Sequence, residues 1–442
     1  MTERYMLQEA IINRIEKTTL VQHFGILQKI QSGWVEASGP NVPIGTICNI
    51  IPENGDAEMA VTAEVVKVDR DHIALVPFED NSKLTVGARI YATALDAQVP
   101  VGDDFQGRAV DALAQAMDQR RLTPSDFVPL HPVLPSPMDR CSPRDILATG
   151  MRSIDGLLSL GVGQRIGVFA ASGVGKTSLM TQLSKQIDCD HIIYCLIGER
   201  GREVEHLWQT ELTEELRKKA TIVAATSDKS AALRVRAVYQ ALALANYWRS
   251  NGRHVVLIID SVTRLAMAMR ETGLAAGEPP TVRAYTPGVF TAIPKIVESC
   301  GALKSGGAIT AIMTILSETD DTEDPISEMM KSLLDGHIIL SRKYAEKGHF
   351  PAIDICKSIS RNMASVAEPN HMKNAREFLS HFALYDASQT MIDAGLYESG
   401  NNPDLDKAIK MRSAMISFLQ QGQAEQCDID DSLAKLQQIV RR

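Results

Sequence analysis

The chain has 442 residues, 45% of them hydrophobic and 23% charged, which excludes a disordered chain and is too long for a single core, so two or three domains are expected. Its formal net charge of -8 argues against a broadly basic nucleic-acid surface, and no nucleic-acid partner is expected. Seven cysteines without a C-x-x-C pair suit a reducing cytosol and exclude both a disulfide framework and a zinc site of that pattern. No apolar run approaches the roughly eighteen residues of a membrane span, and the first thirty residues lack the apolar region of a signal peptide, so the expected location is cytoplasmic.

In chain order, Leu7, Ile11 and Ile15 at helical spacing predict a short amphipathic helix over 5–17, either docking on a partner or membrane surface or packing on its own domain. From about 24 to 96 the period changes to two, as in Leu84, Val86, Ala88 and Ile90, with breakers at Gly39-Pro40, Pro52–Gly55 and Gly87; short strands so spaced predict a small β-barrel. Residues 97–150, with prolines at 124, 129, 132, 135, 137 and 143, read as a connector running extended over the surface. Apolar strand candidates then alternate with helical stretches, at 165–169, 191–197, 221–225, 255–259, 308–316 and 337–341. This pattern predicts a parallel sheet covered on both faces. From about 368 onward strand signals cease and helical patches such as Leu405–Gln421 and Leu433–Val440 predict a helical end.

The stretch Arg165–Thr177, RIGVFAASGVGKT, is a strand that breaks into small residues and ends on Lys-Thr before a helical pattern. It reads as a phosphate-binding loop, with Ser172, Gly173, Val174, Gly175, Lys176, Thr177 and Ser178 around a nucleotide. Lys176 would reach the β and γ phosphates and the Thr177 hydroxyl would hold Mg²⁺. The strict pattern is not met, because Ala170 stands where its first glycine belongs. The run Val255–Asp260 ends a buried strand in a carboxylate, which belongs at the ligand-binding carboxyl edge and suits the Mg²⁺ hydration shell. Gly198–Glu203 follows another strand, so Glu199 should emerge on that edge as the base that orients water, with Arg200 or Arg264 neutralising charge. A solvated charge cluster is the plain alternative there.

The segments GERGREV (198–204), SDKSAALRVRAVYQALALANYWRSNG (227–252), IIDSVTRLAMAMRETGLAAGEPP (258–280), LDGHIILSRKYAEKGHFPAID (334–354) and SISR (358–361) together resemble the ATPase of flagellar and type III protein export. That family is similar to the catalytic subunit of rotary ATP synthases. The resemblance spans about 24 to 420. It implies an α/β fold: an N-terminal β-barrel (21–97), a RecA-like P-loop NTPase core with its connector (98–367) and a C-terminal helical domain (368–442), preceded by a docking helix (1–20). By position it makes Lys176 and Thr177 the phosphate and magnesium residues, Glu199 the catalytic glutamate, Asp260 the magnesium-associated aspartate, Arg361 the arginine finger and Phe350 the aromatic that stacks on adenine. It further implies ATP and Mg²⁺ as cofactors, and a homohexamer peripheral to the inner membrane export gate at its cytoplasmic face. Stator and stalk proteins, export chaperones and export substrates are the implied partners.

Three places depart from the family pattern. Ala171 replaces the glycine of AGSGVGK, and its Cβ would resist a positive φ. Leu113–Met117 lacks the usual glycine after the barrel, and the connector Pro137–Pro143 is atypical. The expected activity is ATP hydrolysis that strips chaperones from export substrates and unfolds them. The alternatives are a rotary synthase catalytic subunit, a non-catalytic nucleotide-binding ring scaffold and a Rho-like nucleic-acid translocase.

Overall fold

The computed structural model describes residues 23–31, 33–52, 59–79, 81–93, 97–316 and 324–441. The helix expected over 5–17, and with it the docking segment 1–20, lies outside the described residues. The chain divides into two compact units, one running to Ala97 and including Ala275–Gly277, the other holding Gln98–Leu274 and Glu278–Arg442.

In the first unit, β1 (Phe24–Gln31), β2 (Trp34–Ala37), β3 (Ile47–Ile51), β4 (Val61–Val68), β5 (Ile73–Pro77) and β6 (Arg89–Ala92) close a barrel in the order β1-β2-β5-β4-β3-β6. Alternation builds it: along β4, Val61, Ala63 and Val65 are buried while the residues between them are half-exposed. The expected alternation Leu84-Val86-Ala88-Ile90 fails at one place. Val86 is 62% exposed, because the Ala88 N–H bonds back to the Thr85 carbonyl at 3.2 Å and Gly87, at φ +95°, turns the chain before β6 begins.

The second unit is built on a mostly parallel sheet. Its long strands β10 (Arg165–Ala170), β11 (His191–Ile197), β12 (Ala220–Ala225), β13 (His254–Asp260) and β14 (Ala308–Leu316) are buried nearly throughout, as helices on both faces require. With β8 (Arg108–Asp111), β15 (Gly336–Ile339) and β16 (Ile359–Ser360) the order is β16-β15-β10-β14-β13-β11-β12-β8, and β16 alone of these runs antiparallel to its neighbour. The covering helices used below are α1 (Arg152–Leu157), α2 (Lys176–Gln186), α3 (Gly201–His206), α4 (Ala231–Ser250), α5 (Val262–Ala275), α6 (Pro287–Glu298) and α7 (Pro325–Leu333).

The stretch 97–150 departs from the expected surface connector. β7 (Gln98–Val101) pairs with β9 (Asp126–Pro129), and β8 joins the main sheet beside β12. Arg108 sits buried in β8 because Asp118 receives its Nε–H at 2.6 Å and an NH2 group at 2.8 Å, a compensation across ten residues that no local pattern announces.

The end of the chain forms α8 (Pro369–Asp393), α9 (Pro403–Leu419) and α10 (Ile429–Val440), the last two begun by Asn402 and Asp428, whose side chains accept first-turn N–H groups. These helices share one hydrophobic core with the sheet unit: Phe378, Met411, Met415, Phe418 and Leu436 pack with Ile154, Leu157, Leu179 and Leu183. Gly156 permits that approach, since a Cβ there would stand 2.8 Å from the Phe418 ring.

Candidate active site

The turn from β10 into α2 is shaped by two glycines and an anchor. Gly173 (φ +80°) and Gly175 (φ +93°) take left-handed conformations, and Val174 between them is 2% exposed, pinning the loop into the core. Gly175 is the N-cap of α2 and no side chain caps the helix, so its first N–H groups are left for an anion, with Ser172, Thr177 and Ser178 exposed around them. Ala171 is not among the residues of positive φ; its Cβ therefore costs the loop nothing, and the expected strain at this departure is absent.

Four strand ends converge here. The register sets Ala170 beside Leu316 and Leu196 beside Asp260, so β10, β11, β13 and β14 deliver their carboxyl ends to one edge. Lys176 contacts the Asp260 carboxylate and lies 3.9 Å from Glu199. Thr314 donates its hydroxyl to Asp260 at 2.7 Å. Arg264, on α5, pairs with Glu199 at 3.3 Å and also donates to the Gly198 carbonyl. Glu199 is 7% exposed. Burial, then the Asp260 charge and a hydrogen bond with Glu203, push its carboxyl up to about 7 against the pull of Lys176 and Arg264. A carboxylate poised there suits general-base work near neutrality.

Lys176, Glu199 and Arg264 open onto a cleft of about 390 Å³ lined also by Ala171, Ser172, Gly173, Arg200 and Leu316. A second cleft of about 650 Å³ shares Thr177, Ser178 and Glu203 and continues along α2 past Thr181, Gln182 and Lys185 to Gln423. Phe350 is 47% exposed, its ring 3.6 Å from where a Cβ on Gly175 would lie, which sets it at the loop's flank.

Arg361 is not brought to this edge. It follows antiparallel β16, its N–H bonding to the Asp335 carbonyl at 2.9 Å and its guanidinium to the Lys331 carbonyl at 3.0 Å, while Asp335 is tied to Arg165 at the start of β10. At about 3.3 Å per residue, the length of β10 sets the Arg361 backbone roughly 17 Å along the sheet from the start of the phosphate loop.

Sequence reasoning missed Glu203 and Thr314. Glu203 stands four residues beyond Glu199 inside the quoted GERGREV, and Thr314 is one of two hydroxyls in the otherwise apolar run TAIMTIL; both are weak signals until the carboxylates they touch are located. For a cation the donors fit. Thr177 supplies an exposed hydroxyl and Asp260, its carboxylate turned to Lys176 and Thr314, an oxygen donor beside it. Hard oxygen donors of this kind suit Mg²⁺, which takes few protein ligands and shares phosphate oxygens.

The ATP synthase alpha/beta family nucleotide-binding domain matches residues 150–360, and the T3SS EscN ATPase C-terminal domain matches 367–438. The flagellum-specific ATP synthase of Bacillus subtilis (strain 168) is 39% identical over 437 residues, covering 98% of this chain and 99% of the relative. The SPI-2 type 3 secretion system ATPase of Salmonella typhimurium is also 39% identical, over 417 residues covering 94% and 95%. Among solved structures, the assembled ATPase EscN of the enteropathogenic E. coli type III secretion system superposes with a TM-score of 0.89 at 37% identity, over 94% of this chain and all of that one. EscN in complex with its central stalk EscO gives 0.86 at 36% identity.

Proposed function

This chain belongs to the family of flagellum-specific and type III secretion ATPases, and from that premise we propose that it works as a ring of identical chains, a homohexamer, at the cytoplasmic face of an export apparatus. ATP hydrolysis there releases chaperones from export substrates and unfolds them. Relatives from flagella and from injectisomes stand at the same identity, so the proposal covers both kinds of apparatus. A central stalk protein like that of EscN is the partner most directly suggested.

In this reading the uncapped start of α2 and Lys176 hold the triphosphate, and Thr177 with Asp260 would hold Mg²⁺, which screens the phosphate charge when bound. Glu199 orients water in line with the γ phosphate and accepts its proton, while Arg264 and Arg200 keep positive charge beside it. Phe350 offers its face to the base.

The single observation that carries the ring is the division of charge across the sheet. Lys176, Glu199 and Asp260 lie at the carboxyl edge and the Arg361 backbone lies at the other, which supports the reading that its guanidinium completes a neighbour's site. The test mixes two inactive variants. Arg361→Ala and Lys176→Ala should each turn over ATP hardly at all, and mixing should restore activity at interfaces pairing an intact loop with an intact arginine. Mixed rings that form and stay inactive would refute the assignment in trans.

A further inference from the structure

The turn joining α9 to α10 is gripped by residues from distant parts of the chain. Gln421 is 5% exposed and its carboxamide is fully engaged: Oε1 accepts from the Arg152 N–H at 2.9 Å, and Nε2 donates to the carbonyls of Gly150 at 2.7 Å and Glu425 at 2.9 Å. Around it, Gln182 and Gln186 of α2 donate to the carbonyls of Gly422 and Glu425 at 3.2 and 3.0 Å. The Arg152 guanidinium reaches the carbonyls of Phe418 and Gln420 and the Glu425 carboxylate. The Gln421 side chain is itself buried and all of its hydrogen-bonding positions are engaged, which favours one orientation of the turn.

That orientation has an outlet toward the nucleotide. The Gln421 backbone N–H donates to the Phe350 carbonyl at 3.0 Å. Phe350 is nearly half exposed, so side-chain packing holds it weakly, and its place beside Gly175 is set mainly by its backbone: the preceding residue, His349, bonds to the Tyr344 carbonyl at 3.0 Å, and its own carbonyl bonds to Gln421. Removing the last bond takes away the partner of the Phe350 carbonyl and leaves buried Pro351–Ile353 as the hold on that side.

We propose that Gln421 is a positioning residue for nucleotide binding, its buried carboxamide fixing the α9–α10 turn so that its backbone holds Phe350 against the phosphate loop for stacking on the base. The proposal rests on the reading of Phe350 as the base-stacking residue. Through it, nucleotide affinity depends on how the last two helices are joined. Chemistry at the γ phosphate is untouched by this route, so the effect belongs in KM and not in kcat.

The experiment is a double-mutant cycle on the full chain, with steady-state ATP hydrolysis as the readout and thermal unfolding to check the fold. Gln421→Met keeps the length and removes the amide's bonds; it should raise KM for ATP about tenfold, the scale of one base–aromatic stack, with kcat within about twofold. Phe350→Ala should raise KM by a similar factor, and the double variant should match Phe350→Ala alone, because Gln421 acts only through that ring. Gln421→Asn, which keeps the amide but shortens its reach, covers the case in which the Met variant does not fold, and should raise KM by a smaller factor. If Phe350→Ala leaves KM unchanged, the stacking reading fails and this proposal with it. If Phe350→Ala raises KM while the folded Gln421 variants do not, or if the two effects multiply, the stacking reading stands and the positioning role is overturned.

Discussion

Replacing Glu199 by Gln keeps the side chain's shape and removes the proton acceptor. General-base catalysis contributes on the order of a hundred- to ten-thousandfold, so phosphate release should fall by at least about a hundredfold. Binding should persist, because Lys176 and the uncapped start of α2 are unchanged, Arg264 keeps the Gly198 carbonyl, and one negative charge leaves the neighbourhood of the phosphates. The structure also sets the pH dependence. Burial first, then Asp260 and Glu203, push the Glu199 carboxyl up to about 7, and only the ionised form accepts a proton. Wild-type kcat/KM should therefore climb with pH, from about a tenth of its plateau at pH 6 to about nine tenths at pH 8. Stability has the opposite sign: a carboxyl raised in the fold favours the folded state fully below its unfolded value, and that contribution is lost as pH rises through about 7. Phosphate release measured from about pH 5.5 to 8.5, with nucleotide binding measured alongside, tests both limbs. A flat wild-type profile between pH 6 and 8, or Gln-variant turnover within about tenfold of wild type, would refute the reasoning.

Gly175→Ala should weaken ATP binding about fivefold or more, since a left-handed non-glycine residue costs roughly 1–2 kcal/mol. Its φ is +93° and its Cβ would meet Phe350 only at an ordinary 3.6 Å, so backbone strain and not collision is the cause; titration of nucleotide binding measures it. Phe418→Ala should cost about 3–5 kcal/mol, as for other buried aromatics. Because Phe418 packs 5.6 Å from Phe378 in the core shared with α1 and α2, urea unfolding should show the helical end and the sheet lost in one transition; a separate early transition of α8–α10 would contradict the continuous core.

The sheet was legible because strands buried on both faces must be apolar throughout, and each of the six expected runs overlaps an observed strand. The residues converging on the loop were legible because strand-end carboxylates and the Gly-Lys-Thr turn are local signals. What escaped notice depends on partners far away in the chain. β8 hides behind an arginine whose burial makes sense only with Asp118 in place, and Thr314 gains meaning only when β14 lies beside β13. The common core of sheet and terminal helices rests on contacts such as Gly156 against Phe418, which composition cannot report. The freedom of Ala171 from positive φ likewise needed the loop's backbone, because two other glycines, Gly173 and Gly175, carry its left-handed turns.

The charges of the site explain why it should stay idle in a single chain. Lys176 is held between two carboxylates, and the described residues offer Arg361 a carbonyl but no ion pair. In the proposed reading a triphosphate entering the cleft would draw Lys176 from Asp260, leaving two acids beside further negative charge, with Arg264 and Arg200 lining the cleft. Repulsion of that kind raises the cost of building charge at the γ phosphate. In the proposed ring, the exposed guanidinium of a neighbour's Arg361 would supply the charge such a site lacks. If it does, turnover per chain should rise with protein concentration, because hydrolysis would then depend on the interface between chains.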